Sequence, residues 1–269
     1  MVASAIDLDS LEVLARSGSY VHAGIGFLLG AIVGSFLATI LVRWPEGRSV
    51  LTGRSSCDSC GRRLGAAELV PLLSWAASRG RCRTCSAPIA PDHVAIELAA
   101  TVLGAVALVA HPGSTGIVTA LFGWWLLLIA ALDAKHQWLP DRLTLPLIPA
   151  GLAVAMVGIG PDWPERAIGA ATAFAVLAGI ALGYRRLRGR DGLGGGDPKL
   201  LAGLGAWLGW QQLPPVLIGA GLLGLVALLL KRVRGEKIAP TDRLPLGTLM
   251  ALAAWPLWLL LAHGVTDVT

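Results

Sequence analysis

The chain has 269 residues, of which 55% are hydrophobic and 14% are charged, and its mean hydropathy is +0.68. Soluble domains carry about 25% charged residues, so this composition excludes an ordinary soluble domain and indicates an all-α integral membrane protein. The formal net charge of +5 does not indicate a nucleic-acid-binding protein, because no basic stretch is interleaved with aromatic residues that could stack on bases. We expect membrane lipids around the protein and no nucleic acid as a partner.

The apolar runs predict a bundle of about eight transmembrane helices, because a spanning helix needs roughly 17–25 apolar residues. The first 19 residues lack the basic start and cleavage site of a removable signal peptide, so we expect the first span to be retained. The run at 199–210 is short enough to be irregular or re-entrant. The predicted spans are 20–42, 94–110, 117–133, 143–159, 166–184, 199–210, 214–230 and 245–262.

The distribution of basic residues predicts the orientation of these spans. Of the 22 Lys and Arg residues, 8 fall in segment 43–92, 2 near 135–142, 5 in 185–199 and 5 in 231–243, and the eight-span arrangement places all four segments on one side. Only Arg16 and Arg166 fall on the other side. Because cytoplasmic loops are enriched in Lys and Arg, we expect these four segments in the cytoplasm and both termini on the opposite side.

Segment 43–92 is the only extended polar region, and it contains all four cysteines. Cys57-Asp-Ser-Cys60 and Cys82-Arg-Thr-Cys85 are two C-x2-C knuckles with 21 residues between them. Two such knuckles can complete a tetrahedral four-sulfur site, and disulfides do not persist in the cytoplasm. The pattern therefore predicts structural zinc with no open coordination position; an iron–sulfur cluster and disulfides are the alternatives. We divide the chain into segment 1–42, this insert at 43–92, and a membrane core at 93–269.

Two aspartates in apolar surroundings are the candidate catalytic residues. Asp133 closes the run 117–132, and Asp197 opens the run that follows Gly194-Gly195-Gly196. Ionisable groups at membrane depth are costly and mark functional sites, and both runs place these carboxylates on the same side. The alternatives are that Asp197 only caps a helix and that Asp133 is a span-end charge paired with Lys135 or Arg142.

A close pair of carboxyls suits peptide hydrolysis, because one can hold a proton while the other acts as a base. No H-E-x-x-H helix is present, so we expect no metal in this site. His22, His111 and His263 fall on the side of the predicted membrane opposite the aspartates, so no Ser/His/Asp set offers an alternative hydrolytic site. We expect Gly194, Gly196, Lys199 and Asp141 to support the site, Asp141 through a turn or cap.

At these residues the chain resembles the type IV prepilin peptidases, membrane aspartic peptidases with a G-x-G-D motif. Six ordered stretches carry the resemblance, and they extend over nearly the whole chain. They are Gly34-Ser35-Phe36-Leu37, the Cys knuckles with Pro71-Leu72-Leu73-Ser74-Trp75, Ile96-Glu97-Leu98, the segment from Asp133 to Asp141, Gly194-Gly195-Gly196-Asp197-Pro198-Lys199, and Pro245-Leu246-Gly247.

The resemblance implies an enzyme of the bacterial inner membrane that removes short basic leaders from type IV prepilins and type II secretion pseudopilins after a Gly. It also implies methylation of the new N-terminus with S-adenosylmethionine, with Glu97 as a candidate for the methyl-donor site or else a helix-start cap. Ala38, His93, Leu246 and Thr248 depart from the family pattern. The alternatives are a peptidase whose insert only docks substrate, a proton-coupled transporter using Asp133 and Asp197, and a non-catalytic assembly scaffold. The sequence does not predict the oligomeric state.

Overall fold

The computed structural model describes residues 8–50, 55–57, 59–189, 192–236 and 244–262. Within these ranges all regular elements are helical, apart from two isolated β-bridges in the Cys insert. The prediction of an all-α protein is therefore confirmed. The two chain termini and His263 lie outside the described residues.

The described residues form nine α-helices, of which eight overlap the eight apolar runs and the ninth is a short helix in the insert. The helices are α1 Leu8–Arg43, α2 Leu73–Ala77, α3 Pro91–Ala110, α4 Ser114–His136, α5 Asp141–Met156, α6 Trp163–Arg188, α7 Asp197–Leu208, α8 Leu213–Val233 and α9 Leu246–Leu261, with short 3-10 helices at Ala66–Leu69 and Trp210–Gln212.

In the part of the chain that the structure describes, five helical stretches are long and apolar enough to cross a membrane, so the protein is a multi-pass membrane protein. They are Gly18–Arg43, Pro91–Ala110, Ser114–His136, Trp163–Arg188 and Trp210–Val233. Helices α5, α7 and α9 have 16, 12 and 16 residues, and roughly 20 residues are needed to cross the hydrocarbon core upright. The all-helical membrane architecture is thus established, whereas the count of eight spans remains a prediction.

The chain forms two compact units, one up to Trp124 and one from Trp125 onward. In the first unit α1 packs closely on α3 through glycines spaced four residues apart. A Cβ atom on Gly26 would overlap the backbone of Gly104, and one on Gly30 would overlap the backbone of Ala100. Such close approach through small residues is typical of packed membrane helices, whereas Gly24 has no neighbour within 4 Å.

In the second unit α7 is the central helix, packed against α5, α6 and α9. Every residue of α7 except Lys199 is buried, which explains why this short helix is apolar on all sides. Gly205 meets the backbone of Gly169 on α6, and Gly203 meets Leu147 on α5. This burial holds the N-terminus of α7, with Asp197, in a fixed position.

Arg166 is a buried charged residue. From the sequence it is expected on the side of the membrane opposite the four basic segments, with no predicted role. Its guanidinium donates hydrogen bonds to the carbonyls of Gly151 at 2.6 Å and Pro161 at 2.7 Å, and also to that of Ile159. The Trp258 ring lies 5.5 Å from its central carbon. Arg166 therefore satisfies two carbonyls just beyond the C-terminus of α5, those of Ile159 and Pro161, and adds a hydrogen bond to that of Gly151 within the helix.

Candidate active site

Asp133 lies in the last turn of α4 with its side chain buried. One of its carboxylate oxygens, Oδ2, accepts a hydrogen bond from the amide of Thr248 at 2.8 Å and one from the Thr248 hydroxyl at 3.2 Å. Thr248 belongs to the first turn of α9, where backbone amides lack partners within the helix. The carboxylate of Asp133 therefore binds the N-terminus of α9, and pairing with Lys135 or Arg142 is not needed to explain its burial.

Asp197 is the first residue of α7, and Pro198 follows it at a position where a helix does not need the missing N–H. Its Oδ2 accepts a hydrogen bond from the amide of Gly194 at 2.9 Å. The N-cap of α7 is Gly196, and Gly194 precedes the helix. The alternative that Asp197 is simply the helix cap is therefore wrong, because its carboxylate binds the glycine loop instead.

Leu139 packs against the two glycines that flank the aspartate site. A Cβ atom on Gly196 would lie 2.5 Å from the Leu139 Cβ, and one on Gly247 would lie 2.9 Å from the Leu139 methyl carbons and 3.0 Å from Asp133 Oδ2. Both positions need glycine because any side chain would push these segments apart. Leu139 and Thr248 are the site residues that sequence reasoning missed. The signals were weak: Leu139 lies inside the quoted segment from Asp133 to Asp141, and Thr248 directly follows Pro245-Leu246-Gly247 as a departure from the family pattern.

The two carboxylates are close enough to influence each other's ionisation. Asp197 lies outside the five candidate spans, and burial raises its pKa to about 6, an effect that the Gly194 amide opposes and the charge of Asp133 reinforces. A carboxyl with such a pKa can still hold a proton near neutral pH. The structure thus brings together two aspartates that are 64 residues apart in sequence.

Asp141 and Lys199 form an ion pair beside this site. The Lys199 Nζ lies 2.6 Å from Asp141 Oδ1, which joins the first turn of α5 to the first turn of α7. Asp141 is not a helix cap, since Pro140 is the N-cap of α5. Asp141 therefore pairs with Lys199 rather than capping α5, and its support of the aspartate site stays a prediction.

The four cysteines meet in one cluster in the first unit. Their sulfur atoms all lie within 4.8 Å of one another, Cys57 Sγ is 3.8 Å from Cys85 Sγ, and none forms a disulfide. Four sulfurs bonded to a tetrahedral zinc at about 2.3 Å would lie about 3.8 Å apart. The cluster therefore has the ligand type, number and spacing of a structural zinc site.

The two knuckles have the same backbone hydrogen bonds. Cys57 donates its amide to the carbonyl of Arg62 and accepts from the amide of Gly61. Cys82 repeats this arrangement with Ala87 and Ser86. Gly61 and Ser86 both adopt positive φ, at 69° and 58°. Each knuckle is thus a tight turn that presents its two thiols on one side.

A cavity of about 300 Å³ separates the insert from α1 and α3 within the first unit. Glu97 lines it but is 4% exposed. Its carboxylate accepts a hydrogen bond from the amide of Leu72 at 2.9 Å, lies 3.3 Å from His93 Nε2, and is hydrogen-bonded by Ser35. Since α3 begins at Pro91, Glu97 does not cap that helix, and the alternative of a helix-start cap is wrong.

A multi-pass helical protein with two interacting buried aspartates has the features of a membrane aspartic peptidase. The model of the type IV leader peptidase family matches residues 120–229, and that of the bacterial peptidase A24 N-terminal domain matches residues 28–111. With the relatives described next, these matches show that the chain belongs to the type IV leader peptidase family.

The chain is similar over most of its length to proteins named prepilin leader peptidase/N-methyltransferase. The one from Aeromonas hydrophila is 34% identical, covering 90% of this chain and 92% of the relative. The one from Burkholderia pseudomallei strain 1026b is 38% identical, covering 90% of this chain and 86% of the relative. The one from Pseudomonas putida is 33% identical, covering 85% of this chain and 87% of the relative. No solved structure matches the chain.

Proposed function

We propose that this protein removes the basic leader of type IV prepilins and type II secretion pseudopilins after a Gly residue. The observation that carries this proposal is the interaction of two buried carboxylates, Asp133 and Asp197, at the ends of two helices. The names of the relatives supply the substrate class. The same pair would suit a proton-coupled transporter, but membership of a peptidase family favours hydrolysis.

In the proposed mechanism the two aspartates share one proton and activate one water. The ionised carboxylate accepts a proton from the water as its oxygen attacks the scissile carbonyl, and the protonated carboxyl donates to the leaving nitrogen. The site needs no metal, because both proton transfers use carboxyl groups. Gly194 and Gly196 allow the loop to approach closely, and the ion pair of Asp141 and Lys199 holds α5 and α7 in register.

We further propose that the new N-terminus is methylated with S-adenosylmethionine, as the second half of the relatives' name suggests. Glu97 and the cavity beside it are the candidate donor site, because the cavity volume of about 300 Å³ falls at the lower end of the range for small-molecule sites. Zinc held by Cys57, Cys60, Cys82 and Cys85 would form the insert's fold and leave the chemistry to other residues.

The proposed topology has eight spans, with segments 1–42, 43–92 and 93–269 serving as anchor, zinc insert and peptidase core. The insert and the aspartates would lie at the cytoplasmic face of the bacterial inner membrane, and both termini in the periplasm. The concentration of Lys and Arg on one side supports this orientation.

Incubation of purified protein with a prepilin and labelled S-adenosylmethionine, followed by N-terminal mass analysis, tests both activities together. We expect Asp133→Asn and Asp197→Asn to abolish leader removal while membrane insertion persists. Asp162→Asn is a matched control, because Asp162 is the N-cap of α6 and Asn is an equally good cap. Complete processing by either active-site variant would exclude the aspartic mechanism, and cleavage without any methyl mass shift would exclude methylation of that substrate.

A further inference from the structure

His93 and Glu97 form a hydrogen-bonded pair at the edge of the cavity in the first unit. They are separated by one turn of α3, with His93 Nε2 3.3 Å from Glu97 Oε1. The side chain of Glu97 is 5% exposed, whereas that of His93 is 31% exposed and lines the cavity. The carboxylate is therefore held inside the protein, and the imidazole is the member of the pair that a ligand can reach.

The partners of Glu97 determine which nitrogen of His93 carries a proton. The carboxylate already accepts hydrogen bonds from the Leu72 amide and Ser35, and an ionised carboxylate can only accept. The proton between Glu97 and His93 must then be on Nε2. Nδ1 of the neutral imidazole is left with a free electron pair. This is the arrangement by which a buried carboxylate orients a histidine base in other enzymes.

Methyl transfer to a peptide N-terminus requires a deprotonated amine, which such a base can supply. The α-amino group has a pKa of about 7.7–8.0 in peptides, so most of it is a protonated, non-nucleophilic ammonium at neutral pH. The structure points to an additional role for this cavity, and we propose that His93 accepts the proton of the substrate's α-ammonium, with Glu97 as its positioning residue. This inference rests on the proposed methyltransferase function.

The proposed step is balanced in atoms and charge. The α-ammonium gives a proton to Nδ1 of His93, and the freed nitrogen pair attacks the methyl carbon of the sulfonium donor. The N–C bond forms as the C–S bond breaks, and the electrons of the broken bond remain on sulfur as a thioether. The product is a methylated ammonium, and His93 returns its proton to solvent.

A flat ring at position 93 could fill space without acting as a base, so the role of the ring must be separated from that of the base. His93→Phe keeps a flat ring without a basic nitrogen, and His93→Gln keeps a donor for Glu97 without the base. His22→Gln, in the first span, is the matched control. Each full-length variant is given leader-free pilin and labelled S-adenosylmethionine, and cleavage of intact prepilin is measured in parallel.

We expect both His93 variants to methylate roughly tenfold more slowly at pH 7 with donor binding preserved, because only about a tenth of an amine with a pKa of about 7.7–8.0 is deprotonated there without a base. At about pH 9.5 the substrate amine is deprotonated without help, so the deficit should nearly disappear. A merely structural role would not produce this recovery. Besides Glu97, the titratable side chains around the cavity are Arg43 of α1 and Arg62, Glu68, Arg81, Arg83 and two thiols of the insert.

Two outcomes would overturn the role of His93 alone: wild-type methylation by either variant at pH 7, or a deficit that stays the same at high pH. In both cases the wild-type protein still methylates, so the proposed function stands. Absence of methylation by the wild-type protein, with cleavage intact, would overturn the proposed methyltransferase function and this inference with it.

Discussion

Thr248 donates to one carboxylate oxygen of Asp133 through both its backbone amide, at 2.8 Å, and its hydroxyl, at 3.2 Å. The same hydroxyl lies 2.8 Å from the carbonyl of Ala130, so it shares its hydrogen between a helix carbonyl and the carboxylate. These contacts join the end of α4 to the beginning of α9. They leave the other oxygen of Asp133 as the one available to a water or a substrate.

Thr248→Val should slow leader cleavage by up to about tenfold while the protein remains folded. The change preserves side-chain shape but removes a hydrogen bond, which contributes about 0.5–1.5 kcal/mol. We expect the effect on kcat, because the substrate does not need this hydroxyl for binding. Thr248→Ser, which keeps the hydroxyl, should retain most activity. A Val variant with the wild-type kcat would show that the backbone amide alone positions Asp133.

Gly196→Ala should greatly reduce cleavage, whereas Gly195→Ala should be tolerated. The added Cβ at position 196 would lie 2.5 Å from the Leu139 Cβ, closer than real contacts allow, while position 195 has no atom within 4 Å. Overpacking of this kind costs about 1–3 kcal/mol, and here it also displaces Asp197. Cleavage rates and thermal unfolding of the two variants in detergent test this. Equal activity of the two variants would contradict the close approach of Leu139.

Much of this fold could be predicted from the sequence because its dominant signals are local. Apolar runs located eight helices, although α1 begins at Leu8, twelve residues before the predicted run, and the C-x2-C spacing identified the four cysteines that cluster. The aspartates could be singled out because a charge in an apolar run is rare. These inferences need only composition and spacing along the chain.

Contacts between distant segments could not be predicted in this way. Thr248 is 115 residues from Asp133 and is an ordinary polar residue in sequence, so its role depends on where α9 begins. Leu139 looks like any apolar residue, although it lies against two glycines more than 50 residues apart. In the sequence, Arg166 is only one of two basic residues on the minority side of the membrane. In the structure, its packing buries it as a hydrogen-bond donor to backbone carbonyls.

The ion pair between Asp141 and Lys199 should contribute to positioning the aspartates more than to stability. Its carboxylate side chain is 56% exposed, and exposed pairs contribute about 0.2–1 kcal/mol. A double-mutant cycle with Asp141→Asn, Lys199→Met and the double variant should give a coupling of that size in unfolding experiments. We expect each single variant to lower kcat about three- to tenfold and the double variant to be no worse than either. Strictly additive losses in kcat would show that the two side chains act separately.

Replacement of Asp197 should stabilise the protein in a pH-dependent way. The folded-state pKa of about 6 exceeds the unfolded value of about 3.9, so the folded protein binds this proton more tightly. The wild-type protein therefore loses stability relative to Asp197→Asn as pH rises from about 4 to about 6. The difference should reach about 2–3 kcal/mol above pH 6 and vanish below pH 4. Thermal unfolding in detergent across this range is the measurement. A difference independent of pH would indicate that Asp197 is not a strained, buried carboxylate.

Loss of the metal should impair methylation more than cleavage, because the cysteine cluster and the cavity belong to the first unit and the aspartates to the second. Cys60→Ala should remove the metal, since three thiolates hold zinc far less tightly than four and metal binding provides the folding free energy of such modules. Thr84→Ala, in the other knuckle and away from the cavity lining, is the control. Elemental analysis of the purified wild-type protein should give one zinc per chain, and iron would instead identify the alternative cluster. Full methylation by a metal-free Cys60→Ala protein would exclude the requirement for an intact zinc module.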